Sequence, residues 1–447
     1  MTGVAQQPRA SLIVPLAPHV AHGLRSMADV TPRPGPDPHP LATRYRVSQE
    51  LHARARRIIP GGGHLSGKPL VDAITTPLYF DRAHGCRIWD VDGHEYIDYL
   101  MAFGAYLVGY AHPVIDGAAE EQGRRGRLVS LNHPLHIDFI EGLLPLFPGA
   151  EMGCFFKTGS EATTAAVRVA RRATGRRRVI RCGYHGWHDW CLPLEDFVPA
   201  GLAEQVLELR PPSGEALRTL FETYPGEIAA LVLAPEMVLP YDPGVFAELL
   251  AITHAHGALL IMDEVKTGLR LAPGSISERA GIVPDMLTLS KGIGNGWPVA
   301  VLLGRRSVMS AAEGMHYSAT FHGDVAAMAA ARATIAWVRS HDVAAHVERL
   351  GAVLIDGLKA LAQQSGLPAV AYGEPLPAMP FFRFNHADAA VNATLSRVFY
   401  QQVLAGGVLF HPRHMWFISH AHTMADIEKT LAVSEQAMRF TAAAVPV

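Results

Sequence analysis

A chain of 447 residues, 49% hydrophobic and with a formal charge of −2, can bury a sizeable core and divide into a large and a small domain. That near-neutral balance gives no electrostatic basis for binding nucleic acid or an acidic membrane, and no apolar run approaches a membrane span. Residues 11–17 are short and broken by Pro15, a poor secretory core, and Cys86, Cys154, Cys182 and Cys191 show no Cys-x-x-Cys spacing, which points to a reduced, cytoplasmic setting.

Residues 1–42 are rich in Pro and Ala, with Pro32, Pro34, Pro36, Pro38 and Pro40 at every second position, and read as a disordered or surface-draped tail. Apolar spacing predicts a helix over 42–58, stopped by Pro60 and the run Gly61-Gly62-Gly63. Asp92-Gly93 predicts a hairpin with a two-residue turn, inside a segment 43–100 assigned to the small domain. From 101 to 335 strands alternate with helices. Strands are predicted at 153–156, 178–182, 229–233, 258–262, 286–289 and 299–303, with helices such as 244–256 between them. Repeated β–α units of this kind predict an α/β domain whose mostly parallel sheet is covered on both faces. After Gly323 the pattern changes to long helices over 324–340 and 341–365, two short strands, a helix over 391–404, and a last helix from Met424 capped by Thr423 and Asp426. Residues 336–447 therefore read as an α+β small domain.

The strand over 258–262 delivers Asp263 and Glu264 at its C-terminal end, and that over 286–289 delivers Ser290 and Lys291, followed by Gly292, Gly294 and Gly296. C-terminal strand ends line the ligand crevice of a parallel sheet, so a carboxylate and an amine face one site from two strands. Pyridoxal phosphate chemistry requires this pairing: the lysine forms a Schiff base with the aldehyde, and the carboxylate keeps the pyridine nitrogen protonated. The glycines do not make a dinucleotide loop, because the third glycine of that fingerprint would fall at Trp297. Thr158-x-x-Glu161 forms a capping box that opens a helix, and Gly159 and Ser160 there leave backbone amides free for a phosphate. Residues 183–190 bring three aromatics and two histidines together. No carboxylate or cysteine cluster completes a metal site, and Tyr184 or His185 offers a ring to stack on a planar cofactor.

These segments resemble the class III aminotransferases of the fold type I pyridoxal-phosphate superfamily, near their glutamate-1-semialdehyde aminomutase branch. The likeness rests on Trp89-Asp90-Val91-Asp92-Gly93 with Tyr96-Ile97-Asp98, Gly159-Ser160-Glu161-Ala162, Tyr184-His185-Gly186, Asp263-Glu264-Val265 with Thr267-Gly268 and Arg270, Ser290-Lys291, Thr320-Phe321 and Ala421-His422-Thr423. The resemblance implies Lys291 as the Schiff-base lysine, Asp263 on the pyridine nitrogen, Gly159 and Ser160 on the phosphate, and Tyr184 stacked on the ring. It also implies His185 and Val265 beside the cofactor, and Thr320 reaching the phosphate across a homodimer interface. Two places depart from the pattern. Relatives carry Glu-Pro where this chain has Ala234-Pro235-Glu236, and the aminomutase's carboxylate-binding Ser and Arg are represented by Ser66 and Lys68, without the bidentate fork. Arg413, in His411-Pro412-Arg413, resembles a carboxylate-binding arginine of some β-amino-acid aminotransferases in this branch.

The expected activity is transfer of an amino group, by a ping-pong scheme, between an amino acid or related amine and a keto or aldehyde acceptor. The alternatives are an intramolecular aminomutase or an epimerase on the same fold, and a catalytically silent scaffold. Intact Lys291, Asp263, phosphate segment and Thr320 argue against the last, and no DNA-binding segment is expected before the fold. The expected partners are small molecules and a second copy of the chain, with neither nucleic acid nor membrane.

Overall fold

The computed structural model describes residues 44–63, 77–191, 198–238, 241–373 and 376–445. The proline-rich stretch and the Ser66–Lys68 segment lie outside the described residues. After helix α1 (Arg46–Ala55), strands β1 (Phe80–His84), β2 (Arg87–Asp90) and β3 (Glu95–Asp98) form an antiparallel meander. The expected two-residue turn is replaced by a three-residue one, Val91-Asp92-Gly93, because Asp90 N–H bonds the His94 carbonyl at 3.0 Å. The Asp90 carboxylate accepts from the backbone N–H of Asp92 and His94, and Gly93 takes φ 90°, the left-handed residue such a turn needs.

Helices α2 (Pro113–Arg125) and α3 (Pro134–Leu143) lead into the central sheet. There β4 (Met152–Phe156), helix α4 (Gly159–Thr174), β5 (Arg178–Cys182), β6 (Val206–Glu208), α5 (Gly214–Thr223), β7 (Ile228–Leu233), α6 (Pro243–Ala255), β8 (Leu259–Asp263), β9 (Met286–Leu289) and β10 (Ala300–Gly304) follow in turn. The seven strands lie in the order β4-β10-β9-β8-β7-β5-β6, parallel except for β10, which runs antiparallel to both neighbours. The edge strand β6 was not expected; its three residues are too few for a periodic signal. Both faces of the sheet are apolar, which is why the central strands read as unbroken hydrophobic runs. Ala230, Val232, Ile261, Ala300 and Leu302 face Ala162, Ala166 and Val169 of α4, while Leu231, Leu233, Leu260, Met262, Leu287, Leu289 and Leu303 pack into the larger core on the other face.

Helix α7 (Val325–Ser340) lies against α2, and the domain limit expected at residue 335 falls inside it. Helix α8 (Val343–Ser365), strands β11 (Ala369–Tyr372) and β12 (Phe381–Phe384), helix α9 (Ala389–Ala405), strand β13 (Val408–Leu409) and helix α10 (Met424–Ala444) complete the chain. Helices α8 and α9 both pack on α10, whose Thr423–Asp426 capping box forms as expected. Strand β13 pairs in parallel with β3, which joins the N-terminal meander to the C-terminal layer.

Between that meander and the central sheet the backbone turns left-handed over four residues: Met101, Ala102, Phe103 and Gly104 have φ of 45°, 49°, 57° and 82°. Each non-glycine residue there costs about 1–2 kcal/mol. The buried Asp98 carboxylate fixes the turn by accepting from Leu100 N–H at 2.7 Å, Met101 N–H at 3.2 Å and the Tyr110 hydroxyl at 2.6 Å. Removing it leaves two buried N–H groups and the half-buried Tyr110 hydroxyl without that acceptor. Asp98→Ala is expected to lower the unfolding free energy by about 3 kcal/mol, measured by urea titration, with Asp98→Asn losing about half as much.

Candidate active site

Four strands end side by side. Cys182 pairs with Leu233, Leu233 with Met262, and Asp263 with Thr288, so the turns after β5, β7, β8 and β9 open onto one cleft. The turn after β5 carries Gly183, Tyr184, His185 and Gly186. It lies against the start of α4, where Thr163 Oγ1 donates to the His185 carbonyl at 2.7 Å. A Cβ at Gly186 would come within 2.3 Å of Ser160 Oγ, so only glycine, here at φ 114°, passes so close.

Asp263, 5% exposed, collects donors on both oxygens. His185 Nδ1 lies 2.7 Å from Oδ2, while Val265 N–H and Thr288 Oγ1 each donate to Oδ1 at 3.2 Å. Burial acts to raise the carboxyl, but the His185 hydrogen bond and charge, the Val265 N–H and the Lys266 ammonium together hold it below its ordinary value. Asp263 is therefore an anion in a dry place. His185 turns its Nδ1–H to Asp263, and its buried Nε2 has no partner among the described residues. Of the two rings proposed from sequence for stacking, His185 is thus committed to Asp263, while Tyr184 is 61% exposed and free to face a ligand.

Lys291 follows β9 in a left-handed conformation, φ 49°. Burial, then the positive charge of Lys266, press its ammonium down to about 8, against the opposing pull of Glu236 and Asp263. At the start of α4 the capping box is formed as expected: Glu161 Oε2 accepts from Thr158 N–H at 2.8 Å, and Glu161 N–H bonds Thr158 Oγ1 at 3.3 Å. The N–H groups of Gly159 and Ser160, at the positive end of the helix, have no acceptor among the described residues. Val265 packs directly beneath, its methyl groups 3.0 Å from where a Cβ on Gly159 would stand. Thr320 is exposed, as is Phe321 beside it at 64%. Their segment is pinned on either side, by the Cys154–Tyr317 contact at 3.5 Å and by His322 Nε2 at 3.2 Å from Glu161. Arg413 is exposed and forms no ion pair with a described residue; its N–H donates to His411 Nδ1 at 3.0 Å. Lys68 lies outside the described residues.

Three further groups lie in the cleft: Lys266 and His414, which were not singled out from the sequence, and Arg270, which was named there only within the resembling motif and without a role. Lys266, three residues after Asp263, is ion-paired with Glu236 at the end of β7, and its Nζ lies 5.9 Å from the centre of the Tyr184 ring. Arg270 is 1% exposed and donates to the carbonyls of Gly104 and Ile418 at 2.8 Å each; burial brings its guanidinium down to about 9. His414 stands edge-on to Phe103 at 5.2 Å and is lowered to about 4 by burial and by Lys266 and Lys291. Glu236 was named from sequence only as a displaced glutamate. Lys266 lay inside the motif around Asp263, where a cation among glycines and apolar residues was the available signal. Among the described residues no His, Cys, Asp and Glu cluster could hold a metal.

This arrangement fits pyridoxal phosphate: a buried anion for a ring nitrogen, an amine of depressed affinity for protons, and two spare amides at a helix start for a phosphate. Comparison with known proteins agrees. Residues 71–412 match the family described as Aminotransferase class-III. The chain is 30% identical over 401 residues to the 3-aminobutyryl-CoA aminotransferase of Cloacimonas acidaminovorans, covering 88% of this chain and 96% of that one. It is 33% identical over 422 residues to the glutamate-1-semialdehyde 2,1-aminomutase of Desulfitobacterium hafniense, covering 88% and 98%. Its fold matches that of the FumI protein of Sphingopyxis sp. MTA144, solved in its PLP internal aldimine form, with a TM-score of 0.81 at 30% identity, covering 88% and 95%. The fold is thus that of the pyridoxal-phosphate transferases of type I. The chain belongs to the class III aminotransferases and is a pyridoxal-phosphate-dependent enzyme.

The lowered Lys291 carries a stability consequence. Its folded value, about 8, lies below the ordinary 10.5, so the folded chain disfavours the proton that the unfolded chain keeps. The resulting cost is fully present below pH 8 and fades as pH rises toward 10.5. In cofactor-free protein Lys291→Met is therefore expected to melt at a higher temperature than the parent at pH 7, and the gap should narrow above pH 8 and close by about pH 11, read by calorimetry.

Proposed function

We propose that the enzyme moves an amino group from a carboxylated amine to a keto or aldehyde acceptor, releasing the deaminated product before the acceptor enters. The observation that carries the carboxylate reading is Arg413. It is an exposed guanidinium without an ion pair to any described residue, next to His411 and His414, and His414 feels the charges of Lys266 and Lys291. A guanidinium there offers a bidentate clamp for a carboxylate. The relative named for 3-aminobutyryl-CoA supports an amine carried on an acyl compound, and the aminomutase relative supplies the second reading, an intramolecular transfer.

Pyridoxal phosphate, when bound, supplies the electrophilic carbonyl and the electron sink. Asp263 would hold the ring nitrogen protonated, and its own anionic state is secured by His185, Val265 and Thr288. Gly159 and Ser160 would bind the phosphate, and Val265 and Tyr184 would offer apolar and aromatic contact to the ring. The Lys291 amine would hold the cofactor and, once freed by the substrate amine, take the proton from the carbon that bears it, a task suited to a base near neutrality. We infer a homodimer in which Thr320 reaches the partner's phosphate site, since Thr320 and Phe321 are presented outward on a pinned segment. We place the reaction in the cytoplasm on the strength of four cysteines, all free.

Two measurements test this. Purified holoenzyme mixed with a carboxylated amine and no acceptor is expected to release about one carbonyl product per site and then stop; accumulation of an isomerised amine with no carbonyl product would show the mutase instead. Lys291→Ala should release none. Arg413→Ala is expected to slow that half-reaction about tenfold or more for carboxylated donors while sparing amines that lack a carboxylate, checked by rapid mixing. An unchanged rate for carboxylated donors in the Arg413 variant would return Arg413 to the role of a surface residue.

A further inference from the structure

Lys266 is an unusual occupant of the cleft. It stands three residues beyond Asp263 on β8, as Lys291 stands three residues beyond Thr288 on β9, and Asp263 and Thr288 are paired across the two strands. The turns therefore bring two lysines to one place. Lys266 is held by Glu236, which reaches it from the end of β7, and the pair is buried: Glu236 is 6% exposed, and its second oxygen, Oε2, has no donor among the described residues. The Nζ of Lys266 is also 5.9 Å from the Tyr184 ring centre, a position where an ammonium gains from the ring's negative face. An ordinary buried ion pair would be electrically silent toward its surroundings. This one faces a third charge. Two ammonium groups in one low-dielectric cleft repel strongly, and the one without a carboxylate partner yields its proton first.

We propose that Lys266 is a positioning residue of the amine-transfer reaction: clamped by Glu236, it keeps a permanent ammonium in the cleft, and this charge enlarges the neutral, nucleophilic fraction of Lys291. The division of roles follows from the partners. Burial acts against the Lys266 ammonium, but the charge and hydrogen bond of Glu236, with Asp263 and Tyr184, raise it above its ordinary value. Lys291 has no such clamp among the described residues. The charged and titratable groups around it are Lys266 and Asp263 from the end of β8, Glu236 from the end of β7, Arg270 from the turn after β8, and His414 from the loop after β13. Lys266 and Arg270 repel its proton, Glu236 and Asp263 attract it, and after burial the charge of Lys266 has the largest effect. A neighbouring cation activating a lysine nucleophile is a recognised device. Here it is assembled from a residue inside the turn that also presents Asp263 and Val265.

The inference rests on the reading of Lys291 as the cofactor lysine, and the experiment separates the two. Full-length protein freed of cofactor is labelled with trace acetic anhydride across pH 6–11, and modification of the Lys291 peptide is followed by mass spectrometry. The parent should show a labelling midpoint near 8. Lys266→Gln should move the midpoint up by about one pH unit, a roughly tenfold loss of neutral amine at pH 7, while Lys266→Arg, which keeps the charge, should leave it near the parent value. The double variant Glu236→Gln with Lys266→Gln removes the pair without stranding a buried charge and should shift in the same direction by less. Borohydride trapping of the cofactor on Lys291 in the holoenzyme tests the functional reading on its own. An unchanged midpoint in Lys266→Gln and in the double variant would overturn the proposal, as would an equal shift in Lys266→Arg.

Discussion

A carboxylate kept ionised out of water is an expensive object, and the layout of this molecule follows from keeping one. Asp263 is ionised because His185, Val265 and Thr288 all turn a donor toward it. Those donors come from the turn after β5, from the chain just beyond β8, and from β9. The strand register that brings Asp263 level with Thr288 is therefore also an electrostatic requirement: a one-residue slip would point Thr288 to the opposite face and remove a donor. The close passage of Gly186 over Ser160 ties the same donor set to the start of α4, so the anion-binding end of that helix and the buried anion of β8 are fixed by one piece of backbone.

Around this anion the cleft gathers cations. Arg270 is buried with carbonyl partners only, and Lys266 and Lys291 lie close enough to feel each other. The neighbouring acid Glu264 is engaged elsewhere: burial raises it, and its oxygens accept from Ser275, Ser277 and the Ile276 N–H. Such a balance favours ligands with anionic groups, as a phosphorylated cofactor and a carboxylated amine both have. Arg270 also has a mechanical part. By donating at once to Gly104 and Ile418, it ties the left-handed turn after β3 to the loop that carries His414, so two separate walls of the cleft share one fastening.

Much of this was legible in the sequence, for stated physical reasons. The run over 229–233 is apolar at every position, and that over 286–289 at all but Thr288, because both faces of those strands are covered, and such runs between turn signals are easy to read. Asp263 and Lys291 stand out as charged residues immediately after such runs, and the Thr158–Glu161 box marks a helix start in four residues. The left-handed turn at Met101–Gly104 was not legible: three non-glycine residues with positive φ have no local signature, and the turn exists because Asp98 and Tyr110 hold it. The pairing of Lys266 with Glu236 joins residues thirty positions apart through adjacent strands, which no spacing rule predicts. The three-residue hairpin turn was missed because the backbone bonds to Asp90, rather than the Asp92-Gly93 pair, decide its length.

The parallel pairing of β3 with β13 has a temporal meaning. The two strands are about three hundred residues apart in the chain, so during synthesis β3 emerges long before the strand that covers its edge. At roughly 5–20 residues per second the wait is on the order of 15–60 s, ample for the central sheet between residues 152 and 304 to assemble first. Through that interval the N–H groups of Ile97 and Tyr99, which donate to the Gly407 and Leu409 carbonyls in the finished fold, lie unpaired on an open edge, a surface that invites pairing with another nascent chain. The edge is thus closed only by a strand made near the end of synthesis, and truncation before residue 408 would leave it permanently open.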